Sequence, residues 1–323
     1  MPSSGNEKLV KNILREEWGF DGVVISDYFA FGELVTHGVA EDMKEAARLA
    51  MNATSDVEMM SAAYLHNIEA LIEDGKITIG QVDKALERFL RLKEKAGLFD
   101  EREDADRSVI LSPDHRRIAR VAAEKSAVLL KNDGVLPFDK NVKKVAVIGP
   151  FGDTGNIMGF WRCYGNAADS VPLTVGVKNL LPAAEVGYAE GVKGDLDAVA
   201  DETEIAKAAA LAAKSDVVIL TLGEPQGDSG EGNSKLNLEL PAAQYALLDA
   251  VVKANKNTVV ALFNGRPLAI KRLIDSAPAV LDVWQTGTEG GNAIARLAFG
   301  EVSPEGRLPM TFPAATGQCP IYY

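Results

Sequence analysis

The sequence predicts an α/β protein in two parts, a first part of alternating helices and strands followed by a mainly parallel α/β sandwich. Beyond residue 142, short apolar runs bounded by Gly and Asn recur with helical patterns between them, the signature of strands buried on both faces of a parallel sheet. Ahead of that array, the segment F-D-E-R-E-D-A-D-R-S at residues 99–108 is charged and aperiodic, which is how a linker reads. The boundary is therefore expected near residue 105, with parts at 1–104 and 105–323.

In the first part, Leu9, Val10, Ile13, Leu14 and Trp18 recur at helical spacing ahead of a β-branched run, so a helix should feed a strand over residues 22–25. A second helix is expected over 43–51, where Ala46, Ala47 and Ala50 favour close packing, with a short strand over 57–60 after it. Helices over 62–73 and 79–96 follow, the latter placing Val82, Ala85, Leu86, Phe89, Leu90 and Leu92 mainly on one face. In the second part Pro113 opens a helix near its first turn. The runs K-V-A-V-I-G, D-V-V-I-L-T-L-G, T-V-V-A-L-F-N-G and A-V-L-D-V-W supply strands, and residues 204–213 and 241–254 supply helices. Trp284, ending an apolar run, is expected in the core. In sheets of this kind functional residues lie on loops leaving the carboxyl ends of strands.

Bulk properties narrow the function. The chain of 323 residues has 34 Lys+Arg against 46 Asp+Glu, a formal charge of −12, and no basic cluster, which argues against nucleic acid and acidic membrane surfaces as partners. Two cysteines, Cys163 and Cys319, are too few for a disulfide scaffold or a cysteine zinc site. His37, His66 and His115 show no metal-binding spacing, so neither a metal nor a cofactor is expected. No apolar run has the length of a membrane span, and the opening M-P-S-S-G-N-E-K has no signal-peptide pattern. The cellular compartment is not legible.

Two places carry candidate chemistry. Asp27 directly follows G-V-V-I-S, at the expected carboxyl end of a strand, where a rigid scaffold can aim a carboxylate; a helix cap or turn former is the plainer reading. The loop G-E-P-Q-G-D-S-G-E-G-N-S-K at 223–235 offers Glu224, Asp228 and Glu231, with glycines flanking Glu231; its plainer reading is a solvated surface loop. Two carboxylates, one attacking the anomeric carbon or activating water and the other protonating the departing oxygen, are what glycosidic cleavage requires. Other motifs are weaker. The glycines of K-V-A-V-I-G-P-F-G-D-T-G-N do not have dinucleotide-binding spacing, and Ser229, which could pair with His115 or His37, lacks a nucleophile elbow. Trp161 in G-F-W-R-C-Y-G is open between sugar stacking and core.

The segment P-S-S-G-N-E-K-L-V-K-N-I-L-R-E-E-W-G-F-D-G-V-V-I-S-D closely resembles the stretch ending on the nucleophile in glycoside hydrolase family 3. The resemblance continues through D-G-K-I-T, A-G-L-F-D, V-L-L-K-N-D-G-V-L-P-F, V-A-V-I-G-P, F-N-G-R-P-L-A, G-T-E-G-G-N-A-I-A and G-R-L-P-M-T-F-P, in family order. It implies a remnant of a (β/α)8 barrel, its last βα units, ahead of the α/β sandwich. It also implies a retaining β-glycosidase acting on β-glucosides, or on β-xylosides or a mixture, with Asp27 as nucleophile and Glu231 as acid/base. Tyr28 and Ser229 are then candidate substrate-binding residues; Tyr28 stands where many members carry a Trp that lines the leaving-group side. A complete barrel takes ~250 residues, and two strands cannot close one. The expectation is thus a fragment, a truncated reading frame or one half of a two-chain enzyme, of low activity alone, with a second chain or self-association completing the barrel. The alternative is a non-catalytic carbohydrate-binding or assembly module, in which Asp27 is a capping residue with no partner.

Overall fold

The computed structural model describes residues 1–101 and 104–321. Arg102 and Glu103, inside the predicted linker, and the terminal Tyr322 and Tyr323 lie outside the described residues. The chain divides into two compact units, Met1–Ala105 and Asp106–Tyr323.

After a 3-10 turn at Ser3–Gly5, the first unit forms a helix at Lys8–Glu17 in π geometry, in which the Trp18 N–H reaches back five residues to the Ile13 carbonyl at 2.9 Å. Of the predicted apolar stripe only Val10 is buried; Trp18 is 70% exposed. Then come β1 (Ile25–Tyr28), α1 (Ala30–Thr36), α2 (Met43–Asn52), β2 (Val57–Met59), α3 (Ala63–Glu73) and α4 (Ile79–Lys95), with β1 and β2 paired in parallel. The first strand starts three residues later than predicted because the backbone before it is engaged elsewhere. Arg15 takes the Gly22 carbonyl at 2.9 Å, and the Val24 N–H donates to Asp56 Oδ2 at 2.9 Å. Asp42 caps α2 through the Glu45 N–H at 2.8 Å, and a Thr78–Gln81 capping box starts α4. Phe31, Ala47, Ala50, Met51, Ala63, Tyr64, Leu71 and Ile77 form the core, with Phe31 edge-on to Tyr64 at 5.0 Å. On α4 only Ala85 is buried, and Leu86, Leu90 and Leu92 remain exposed.

The second unit runs α5 (Pro113–Ser126), β3 (Val128–Asn132), β4 (Lys144–Ile148), α6 (Leu173–Leu180), β5 (Glu185–Ala189), α7 (Glu202–Ala213), β6 (Val217–Gly223), α8 (Ala242–Ala254), β7 (Thr258–Phe263), α9 (Lys271–Ser276), β8 (Ala279–Asp282) and α10 (Gly290–Ala298). The six-stranded sheet has the order β3-β8-β7-β6-β4-β5, parallel except for β3 against β8. Successive residues of its strands feed opposite cores. Val145, Val147, Val217 and Ile219 meet α6 and α10 on one face; Ala146, Ile148, Val218 and Leu220 meet α7, α8 and α9 on the other. Both edge strands and the helices α6, α9 and α10 escaped the sequence reading. The α6–α10 contact explains one of these misses: a Cβ on Gly176 would lie 2.1 Å from the Gly291 backbone, so the two helices touch through glycines, the residues that weaken a helical pattern.

The connectivity places the functional loops. From β4 the chain moves outward to β5 and then returns across β4 to β6, which creates a topological switch point between β4 and β6. The two long loops, 149–172 and 224–241, both leave carboxyl ends of strands there.

Candidate active site

Each unit holds half of the predicted site. In the first unit Asp27 is the next-to-last residue of β1, with its carboxylate exposed. Its backbone is held by Ser26, whose buried hydroxyl donates to the Asp27 carbonyl at 2.8 Å and accepts the Met59 N–H of β2 at 2.9 Å. Asp27 Oδ1 accepts the Tyr28 N–H at 2.7 Å. The plainer reading of Asp27 as a helix cap does not hold: the N-cap of α1 is Phe29, in the left-handed region at φ 58°, and it receives no side-chain bond. Tyr28 is 63% exposed.

In the second unit the strand β6 ends on Gly223, whose φ of 141° and close approach to the Phe263 carbonyl, 1.8 Å from a hypothetical Cβ, admit only glycine. The loop beyond it sorts its three acids. Glu224 is buried and receives Lys235 Nζ on Oε1 at 2.6 Å, with Arg266 Nε at 3.5 Å. Burial pushes Glu224 up from the ordinary carboxylate range, against the pull of Lys235. Asp228 binds the same ammonium at 2.8 Å; burial acts against its charge, but the Lys235 hydrogen bond holds its pKa below the usual value. Glu231 stands exposed at the turn of the loop and, among the described residues, accepts no hydrogen bond. Ser229 is 8% exposed, and its hydroxyl accepts the Gln285 amide at 3.1 Å. Gly230, at φ 128°, lies against Phe160, where a Cβ would come within 2.3 Å of the ring.

Phe160 belongs to the neighbouring loop 149–172. Beside it Trp161 is 64% exposed, its ring edge-on to Phe160 at 5.3 Å, and Tyr164 is fully exposed. Trp161 is therefore a surface residue beside the Glu231 loop and not part of the core. Trp284 is only half-buried, packed on Phe312 at 5.9 Å with its indole N–H donated to the Ser126 carbonyl at 3.1 Å. The nucleotide-like turn is closed by its own chain: a Cβ on Gly149 would lie 2.0 Å from the Thr221 carbonyl, and one on Gly155 would lie 1.9 Å from that of Ala167. No helix begins there to receive a phosphate, since α6 starts at Leu173. Among the described residues no cluster of three or more His, Cys, Asp or Glu side chains is placed to hold a metal, and no helix is long and apolar enough to cross a membrane. The sequence reading missed Arg266, Gln285 and Phe160 as residues of this region. The signal for the first two was that F-N-G-R-P and V-W-Q lie just after β7 and β8, strands that run parallel to β6 in the same sheet.

Behind these loops, Asp282 ends β8 wholly buried, accepting the Trp284 N–H at 3.1 Å. Burial raises its pKa from 3.8 to about 7, against the pull of the Trp284 N–H and of the nearby Asn264 side chain. A carboxyl with a raised folded-state pKa stabilises the fold fully below its unfolded value and loses that contribution as pH rises through the folded one. Stability of the second unit is expected to fall between about pH 4 and 7 by at most about 4 kcal/mol. Urea unfolding across that window should show the fall in the parent and not in Asp282→Asn. A slope shared by both proteins would exclude Asp282 as its source.

The chain matches the Glycosyl hydrolase family 3 C-terminal domain over residues 127–323 and the family's N-terminal domain over residues 1–92. It is 36% identical to the periplasmic beta-glucosidase of Salmonella typhimurium, covering all of this chain and 46% of that protein. It is 35% identical to a beta-xylosidase of Formosa agariphila, covering all of this chain and 47% of that protein. The crystal structure of beta-glucosidase from Listeria innocua in complex with glucose superposes with a TM-score of 0.91 at 39% identity, covering all of this chain and 44% of that one. The chain thus spans less than half the length of these relatives. With part of the family's barrel domain in its first unit and the six-stranded sandwich in its second, this chain belongs to glycosyl hydrolase family 3.

Proposed function

We propose that this chain carries the two catalytic carboxylates of a retaining β-glycosidase that removes terminal non-reducing β-D-glucosyl residues. The observation that carries the reading is the sorting of acids in the 224–235 loop: Glu224 and Asp228 are spent on Lys235, which leaves Glu231 exposed and uncommitted. Asp27 complements it as an exposed carboxylate on a strand whose backbone is pinned by Ser26. In the proposed reaction Asp27 attacks the anomeric carbon while Glu231 gives its proton to the departing glycosidic oxygen, forming a glycosyl ester on Asp27. Glu231 then takes a proton from water, which attacks the same carbon and releases Asp27, with net retention. Such a pair works at a carboxyl separation of ~5–5.5 Å. Tyr28, exposed beside Asp27, and Ser229, in the Glu231 loop and bonded to Gln285, are the substrate-binding residues of this reading, with Tyr28 on the leaving-group side.

The relatives' names divide between glucose and xylose, so both aryl β-glucosides and aryl β-xylosides belong in the assay. Glu231→Gln should slow substrates with poor leaving groups by roughly 10²–10⁴-fold while sparing glycosylation by dinitrophenyl glycosides, which need no proton. Equal losses on both substrate types would remove Glu231 from the acid role. Binding of glucosides without any turnover would favour the carbohydrate-binding reading.

A second copy or another polypeptide is proposed to complete the barrel. The two-stranded sheet β1–β2 has no further strand paired to it among the described residues, and Ile25, Tyr28, Phe29 and Met60 around it are exposed. Light scattering of the isolated chain should then give a mass above the 34.5 kDa of one copy. A clean monomer would count against self-association.

A further inference from the structure

The 224–235 loop supplies three members of a four-charge cluster that the two-carboxylate mechanism does not use. Glu224 and Asp228 face Lys235 and Arg266, so the cluster is electrically balanced. All four side chains are largely withdrawn from water, at 1%, 14%, 8% and 18% exposure respectively. Glu224 immediately follows β6, Arg266 lies three residues past the end of β7, and Lys235 stands at the far end of the loop. The single ammonium of Lys235 therefore joins the loop's beginning, through Glu224 at 2.6 Å, to its middle, through Asp228 at 2.8 Å. Arg266 adds a guanidinium hydrogen bond to the Asp228 carbonyl.

The Asp228–Lys235 bridge closes a ring around residues 229–234, and Glu231 lies within it. Inside the ring, Asn233 Nδ2 donates to the Gly227 carbonyl at 3.1 Å, Ser229 is tied to Gln285 at 3.1 Å, and Gly230 is pressed against Phe160. A loop with glycines at 227, 230 and 232 has little intrinsic preference for one conformation, so these ties select it. A proton donor must be held within about 0.5 Å of its working position to be effective. Among the described residues Glu231 itself bonds to nothing that would supply such precision.

We propose that Lys235 is a positioning residue for Glu231: its ammonium, shared between Glu224 and Asp228, holds the loop in the single conformation from which Glu231 works. This rests on the reading of Glu231 as the acid/base. The task needs a cation with several donors that reaches both carboxylates from one loop end; on Glu224 it is Oε1 that takes the bond, and Oε2 has no partner among the described residues. The flanking hydrogen bonds then close around it.

The test uses the full chain with Lys235→Met and Lys235→Arg. Amide hydrogen exchange of residues 225–234 should quicken at least tenfold in Lys235→Met, with β6 and β7 unchanged, and should return toward the parent rate in Lys235→Arg. Should Lys235→Met also open the sheet, the double variant Glu224→Gln, Lys235→Met removes the uncompensated buried charge, and the same comparison is made with it. Loop exchange that stays at the parent rate, or that the arginine does not restore, overturns the proposal whether or not the chain turns substrate over. Where it does, Lys235→Met should lose kcat on alkyl β-glucosides and keep it on dinitrophenyl β-glucoside; equal losses on the two would make the cluster structural only and overturn the positioning role. Glu231→Gln is measured alongside. If it shows no leaving-group dependence the acid/base reading fails, whereas the exchange comparison still judges the Lys235 lock on its own.

Discussion

Replacing Asp27 with alanine is expected to reduce kcat/KM for an aryl β-glucoside by at least about 10⁴-fold, a loss of the size seen when a covalent nucleophile is removed. The carboxylate cannot be replaced by a neighbour, because the side chains next to it on β1 are Ser26 and Tyr28, and the Ser26 hydroxyl is committed to the Asp27 carbonyl and the Met59 N–H. Two outcomes separate loss of the nucleophile from loss of fold. Added azide, small enough to enter the space left by the carboxylate, should restore release of an activated aryl group and yield a glycosyl azide of inverted configuration. A slow 2-fluoro-glucoside should leave the parent, and not Asp27→Ala, labelled on the peptide containing Asp27. Full activity in Asp27→Ala would end the assignment. A parent chain with no turnover in any assembly would make the barrel completion, not Asp27, the missing part.

The second large effect is on stability. Asp56→Ala should destabilise the first unit by about 3–5 kcal/mol, the cost of leaving buried charge without its partner. The Asp56 carboxylate is wholly inaccessible and receives Arg15 at 2.6 Å, Arg88 at 2.6 Å and the Val24 N–H at 2.9 Å. It thereby joins the first helix, the approach to β1 and α4. Arg15 is committed further, to the Thr54 hydroxyl at 2.8 Å and to the carbonyls of Thr54 and Gly22 at 2.9 Å each. Burial lowers the pKa of Arg15 and the Asp56 charge counters it, so removing Asp56 strands two guanidinium groups against each other. Hydrogen exchange in graded urea, which resolves the two units separately, should show the loss in residues 1–105 and leave the sheet of the second unit unchanged. A shift below about 1 kcal/mol would show that water or relaxation replaces the carboxylate. Since Val24 directly precedes β1, the same substitution should loosen the strand that carries Asp27.

The sequence by itself determined the parts of the molecule whose local pattern and final environment agree. The runs at Val217–Gly223, Thr258–Phe263 and Ala279–Asp282 are wholly buried, so their unbroken apolarity announced them as inner parallel strands. The helices α2, α3 and α4 were legible from their spacing to within a residue or so at either end. The motif ending on Asp27 and the glycine-rich loop holding Glu231 were legible as well, because both depend on residue order along one stretch of chain. Tertiary structure decided the rest, where a residue's environment comes from distant sequence. The edge strands β3 and β5 carry mixed burial because only one side of each pairs within the sheet. The start of β1 moved because Arg15 and Asp56, one on each side in sequence, occupy the backbone before it. Above all, Glu224, Asp228 and Glu231 are three similar acids in one loop; only folding, which brought Lys235 and Arg266 to the first two and neither to the third, gave them different chemistry.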